Sequence, residues 1–278
     1  MAENHVHERG AMTQPHATLS VVVGIDGSDA AIAAALWATD EAIVRDVPLR
    51  LIHAADSTTT PSGPGEDFRR HLARAEPLLR AAEAAVAATG KTVKVETGVV
   101  TAGPRAGLIS ESHTAQMVCV GSLGIPRVGH VLGSTAAALA NTAFCPVAII
   151  RPEPTTSAPE GGWIAVSVDG SPDSDVILET GFCEARLRDA PLLALGVGAA
   201  AVGGDRLQRR LDPWRPRFPQ VQVQAVPALG GVAEFIVGSA EPVQLAVIGS
   251  GQVAPLTRFD PDAAASVADL CSLLVVRS

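Results

Sequence analysis

The chain repeats itself, and that repeat restricts its architecture more than any other feature. Val21-Val22-Val23-Gly24-Ile25-Asp26-Gly27-Ser28 returns as Ile164-Ala165-Val166-Ser167-Val168-Asp169-Gly170-Ser171, shifted by 143 positions. The same shift maps Glu41-Ala42 onto Glu184-Ala185, Arg45-Asp46 onto Arg188-Asp189, and Pro48-Leu49 onto Pro191-Leu192. The carboxyl ends also echo each other, Phe144-Cys145-Pro146-Val147 against Leu270-Cys271-Ser272-Leu273, each run closing on an arginine (Arg151 and Arg277). A Pro/Ser/Thr-rich stretch lies between the copies. The expected organisation is a tail over 1–17, a first unit over 18–151, a linker over 152–160 and a second unit over 161–278.

Each unit alternates short apolar runs with helical patterns. In the first, strands are expected near 19–26, 49–55, 92–100, 116–121 and 146–151, and helices near 29–45, 66–89, 104–113 and 134–143. Apolar strands joined by helices imply an α/β fold, a parallel sheet covered on both faces. Two open five-stranded sheets in tandem are the expectation. Ser28 and Ser171 are natural helix N-caps, with Pro172 at a first helical position. Gly198 to Pro219, carrying Pro213 and Pro216, is expected to be much shorter and less regular than the matching segment of the first unit. If the first and fourth strands are neighbours, with the second on the far side of the first, a crevice opens between Asp26 and Gly121, flanked by Ala54.

What occupies such a crevice is constrained by charge. A net charge of −8 and aromatics at only 3%, with no tyrosine, argue against nucleic acid and against an anionic membrane surface. An anionic small molecule would need local devices, such as backbone amides or a bridging metal. The first seventeen residues lack the apolar run of a signal peptide, and no stretch reaches eighteen uninterrupted apolar residues. Cys119, Cys145, Cys183 and Cys271 form no C-x-x-C pair, which points to reduced thiols in a cytoplasmic protein.

The segment from Val118 to Arg151 supplies the local device. An apolar strand ends at Gly121-Ser122-Leu123-Gly124, and Gly133-Ser134-Thr135 then opens a helix. Glycines let backbone approach an anion closely, and the free N–H groups of a helix start favour a phosphate. The competing reading is a glycine-rich turn followed by a serine N-cap.

Taken together, these residues resemble the universal stress protein family in its tandem, actinobacterial form, an adenine-nucleotide α-hydrolase-like fold. The resemblance spans nearly everything outside the tail and linker. Its ATP-binding members carry an Asp at the end of the first strand and a loop of the form G-x2-G-x9-G-[ST]. The resemblance implies that Asp26 and the Ala54 backbone contact adenosine, and that Gly121, Gly124, Gly133, Ser134 and Thr135 line the phosphates of ATP, with magnesium as a possible companion. It also implies a role in stress response or growth regulation, a regulatory protein partner, and dimer formation through the last strands. In a tandem chain those last strands could pair with each other within one molecule. One departure is the spacer Ile125 to Leu132, eight residues rather than nine, which bears on affinity.

The second unit departs further. Gln252 stands where Gly124 stood, and Thr257-Arg258-Phe259-Asp260-Pro261-Asp262 replaces the later Gly-Ser. Two aspartates repel a polyphosphate and Pro261 removes an amide donor, so this half is expected to bind no ATP. Because Asp169 persists there regardless, the Asp-Gly-Ser turn also has a purely local reading, with the carboxylate bonding nearby backbone N–H groups.

Other motifs carry less. Gly90-Lys91-Thr92 lacks the leading glycine of a P-loop, since position 85 is Ala85. Gly196-x-Gly198-x-x-Ala201 follows the wrong strand for a dinucleotide fingerprint. His130 and Arg127 sit in the glycine loop, and His53 ends a strand where local hydrogen bonding is expected. No paired carboxylates mark a general acid and base. Slow phosphate transfer, flavin-based electron transfer and a ligand-free interaction module stay open as alternatives.

Overall fold

Ten strands join in one sheet in the computed structural model, which describes residues 19–55, 64–122, 133–152, 162–198, 204–228, 231–239, 242–253 and 270–277. The first half runs β1 (Ser20–Gly24), α1 (Asp29–Val44), β2 (Leu49–Ala54), α2 (Pro64–Ala88), β3 (Val95–Val100), α3 (Pro104–Glu111), β4 (Ala115–Gly121), α4 (Ser134–Thr142) and β5 (Val147–Ile150). The second runs β6 (Trp163–Val168), α5 (Ser174–Leu187), β7 (Leu192–Gly196), α6 (Gly204–Leu211), β8 (Val223–Pro227), α7 (Val232–Gly238), β9 (Val243–Gly249) and β10 (Ser272–Val276). Their order across the sheet is β3-β2-β1-β4-β5-β10-β9-β6-β7-β8.

Within each half every neighbouring pair is parallel, and β1 lies between β2 and β4 as the crevice requires. The halves meet where β5 and β10 pair antiparallel, Leu273 opposite Ile149 and Val275 opposite Val147. All four residues of β5 are buried. Left unpaired, each strand would present a row of free amides and carbonyls; each instead covers the other. The two expected sheets are therefore one.

The helices sit close because their inner faces are small. Ala30, Ala31, Ala34, Ala35, Ala38 and Ala42 of α1 are buried against the sheet. Two core clusters, one containing Leu49 and Leu192 and the other Ile52 and Leu193, each draw residues from both halves. The repeat extends to backbone conformation: Asp46 and Asp189 both adopt left-handed φ, 52° and 47°, just after α1 and α5. A single left-handed residue there reverses the chain at a helix end, and aspartate tolerates it better than most side chains.

One local expectation fails. Asp173, not Ser171, precedes α5, because the Asp169 carboxylate engages Ser171 and Ser174 and holds that stretch as a turn. The Gly198–Pro219 segment holds a helix, α6, of eight residues where the first half has the 25 residues of α2. Its Leu207 and Leu211, with Trp214 and Phe218, pack beside Phe182, whose ring lies 5.1 Å from that of Phe218. The prolines follow α6 and do not prevent it.

Candidate functional site

The crevice begins where β1 ends. The turn after it is set by Asp26, whose Oδ1 accepts the Ser28 N–H at 2.9 Å and the Ser28 hydroxyl at 2.6 Å. Gly27 takes φ +87° between them. Ser28 in turn caps α1, its Oγ accepting the Ala31 N–H at 3.2 Å. Asp26 is exposed, and its Oδ2 has no hydrogen bond among the described residues. The turn thus uses one carboxylate oxygen and leaves the other toward solvent or a ligand.

On the second-strand side, Ala54 closes β2 opposite Val100. The next residue, Ala55, donates to the Val100 carbonyl at 2.8 Å and accepts the Gly103 N–H at 3.0 Å. His53 Nδ1 lies 2.8 Å from the Ile25 carbonyl oxygen, which only accepts, so the proton sits on Nδ1 and the ring ties β2 to β1. Local bonding is what the sequence suggested for His53.

Across the crevice, Gly121 ends β4 against the first turn of α1. A Cβ there would lie 2.6 Å from Ala30 Cβ and 2.8 Å from the Ala30 carbonyl carbon. Close helix packing alone therefore demands this glycine, whatever binds beyond it. Ser122 is buried; its N–H donates to the Ile150 carbonyl and its carbonyl accepts the Gly133 N–H, both at 2.8 Å. That second bond pins the two ends of the glycine loop together.

Gly133 is the cap of α4, and among the described residues no side chain is seen to bond the helix start. Ser134 is the first helical residue and is exposed, with Thr135 half-buried behind it. The serine-cap reading is therefore not realised. Among the described residues the first-turn amides of α4 have no side-chain cap, they stand beside the end of β4, and the turn holds no acidic residue. Backbone donors at the positive end of a helix dipole are chemically suited to an anion. Gly124, Arg127 and His130 lie outside the described residues.

The equivalent crevice of the second half is bridged. Asp169 Oδ1 accepts the Ser171 N–H at 2.9 Å and the Ser174 hydroxyl at 3.0 Å, and its Oδ2 accepts Gln252 Nε2 at 3.4 Å. Gln252, on a single 3₁₀ turn after β9, also accepts the Gly249 N–H at 3.4 Å. The side chain thus links the ends of β6 and β9. Arg210 of α6 closes over the same turn, 2.7 Å from Asp175 and 3.3 Å from the Gly170 carbonyl. Burial tends to raise the Asp169 carboxyl, but the hydrogen bonds from Ser171 and Ser174 outweigh it and hold the group below its ordinary value.

The family model of the universal stress proteins matches residues 19–151. A universal stress protein of Mycobacterium tuberculosis is 43% identical over 266 residues, covering 93% of this chain and 96% of that one. The chain belongs to the universal stress protein family. A second family member from the same organism is 40% identical over 278 residues, covering 96% of this chain and 99% of its own. In fold, the chain is similar to a crystal structure of a universal stress protein from Archaeoglobus fulgidus, with TM-score 0.69, 16% identity and 93% of this chain covered. No helix among the described residues of this family member is long and apolar enough to cross a membrane.

Proposed function

We propose that the first half binds ATP in the crevice between β1 and β4, as a regulatory ligand in stress response or growth regulation. The observation that carries this reading is the start of α4, without a side-chain cap among the described residues and held beside the end of β4 by the Gly133–Ser122 bond. In this reading the α4 amides at Ser134 and Thr135, with the Gly121 to Gly124 backbone, take the phosphates. Asp26 Oδ2 is left over by its own turn to accept a ribose hydroxyl, and the Ala54 backbone flanks the base. Magnesium would ride on the phosphates; among the described residues no group of three or more His, Cys, Asp or Glu side chains is placed to hold an ion.

The second half serves as scaffold and recognition surface, since Gln252 and Arg210 already occupy its crevice mouth. The four free thiols, three of them buried, suit a reducing cytoplasm.

Calorimetry with ATP, alongside mass spectrometry of the small molecules released on heat denaturation, tests the assignment. ATP should bind at one site per chain. Gly124→Ala should weaken it by about 100-fold, about 2.7 kcal/mol, without lowering the unfolding midpoint. Absence of any response to ATP in the wild type would overturn the reading in favour of a ligand-free module. Steady-state phosphate release well above buffer would instead establish turnover.

A further inference from the structure

The two halves exchange an arginine across the seam. Arg277, which follows β10, reaches the last turns of α4 in the other half. Its Nη2 donates to the Leu139 carbonyl at 3.1 Å and to the Ala140 carbonyl at 2.5 Å. Its counterpart Arg151, which follows β5, reaches the opposite way, and its Nη1 donates to the Leu270 carbonyl at 3.2 Å. The antiparallel pairing of β5 with β10 brings this about, because it sets the end of each strand beside the start of the other.

The exchange is unequal. Arg277 makes two bonds in a half-buried setting, whereas the bond of Arg151 is exposed. The end of α4 also has a place for a donor from outside. Its last turn holds no basic residue. The Phe144 N–H, four residues beyond Ala140, donates to the Ser112 hydroxyl at 3.0 Å and so does not extend the helical ladder to the Ala140 carbonyl. Terminal carbonyls of a helix need partners, and a cation suits them because it meets the negative end of the dipole.

Helix α4 is therefore held at its two ends by different halves. Its start is tied to β4 through the Gly133 N–H and the Ser122 carbonyl, and its end to the second half through Arg277. The helix has nine residues. At 1.5 Å per residue that is about 13 Å, too short a rod for one end to shift without the other.

We propose that Arg277 is a positioning residue for the nucleotide crevice: from the second half it fixes the far end of α4, and so the place where the α4 amides meet a phosphate. This role rests on the nucleotide reading above. It gives the second half, whose own crevice is bridged by Gln252, a part in binding at the first. Two effects act in the same direction. A helix already fixed loses less freedom when an anion docks, and the guanidinium adds positive potential toward the helix start.

The test is calorimetric titration of the full chain with ATP, for wild type, Arg277→Met, Arg277→Lys and Arg151→Met, with thermal melts to establish that each is folded. Arg277→Met should bind ATP about fivefold more weakly. Arg277→Lys should recover most of that loss, because it returns the charge and a donor. Arg151→Met should match the wild type even where its melting temperature falls. A purely structural role would move both methionine variants; positioning of α4 separates them. Wild-type affinity in Arg277→Met, or equal weakening in Arg151→Met, would overturn the role of Arg277 alone. A wild type that gives no response to ATP would overturn the nucleotide reading and this role with it. If Arg277→Met does not fold, Arg277→Gln, which keeps a donor without the charge, takes its place with weakening in the same direction expected.

Discussion

The two crevices of this sheet start from the same turn and end differently. After β1, Asp26 spends one oxygen on Ser28 and has no described partner for the other; after β6, Asp169 spends both, the second on Gln252. Ser28 caps its helix, whereas Ser171 sits in a turn ahead of α5. The Asp-Gly-Ser motif is thus first a device for leaving a strand, and it holds in both halves. Whether it also faces a ligand depends on what the fourth strand of the half delivers beside it: a loop leading to a helix with no described side-chain cap in one case, a glutamine plug in the other.

The glycines that end the fourth strands offer the largest test of this contrast. Gly121→Ala drives a Cβ into the backbone of Ala30 and should cost about 3 kcal/mol of stability. Gly249→Ala meets only the mobile end of Ile177, at 3.0 Å, and should cost under about 1 kcal/mol. Urea denaturation of the two variants separates them; equal losses would show that the two strand ends are packed alike.

Asp26→Asn should weaken ATP about tenfold, about 1.4 kcal/mol, by calorimetry, while Asp169→Asn should leave ATP binding unchanged. Equal effects would end the functional distinction between the crevices. Gln252→Gly should create no second ATP site, because removing the plug does not supply the helix-start amides; two sites per chain in the titration would show that the plug alone closes the crevice.

Ser28→Ala removes a helix cap and should lower stability by about 1 kcal/mol, against less than about 0.5 kcal/mol for Ser171→Ala, both from thermal melts. The smallest effect is on pH. Asp169, held below its ordinary value, contributes stability that is present above its unfolded value and lost as pH falls through its folded one. Asp169→Asn should therefore flatten the acid limb of the stability profile below about pH 4, and an unchanged limb would place the acid sensitivity elsewhere.

Much of the scaffold was legible in the chain. Continuous apolar runs separated by helical periods identify five strands in the first half because a strand buried on both faces has no polar side to show. The site residues were legible in part. Ser134 looked like a cap and is not one, since the preceding glycine already terminates the loop through Ser122. Gly121 looked like an anion contact, and its glycine is already required by Ala30. The α6 helix was hidden by the prolines that follow it. Glu41 and Glu184 read as one more matched pair in the repeat, with nothing local to mark both as buried and paired with Arg188.

The repeat, the parallel α/β halves and the lack of a second Gly-Ser pair after the fourth strand of the second half were legible in sequence alone, because each depends on short-range pattern: hydrophobic period, turn residues, and the presence or absence of glycine. That β5 and β10 do pair, which the sequence offered only as a possibility, that Gln252 bridges to Asp169, and that Arg188 holds two glutamates 143 residues apart were decided by tertiary structure. Each of these sets side by side groups that lie far apart in the chain, and burial then changes what those groups do.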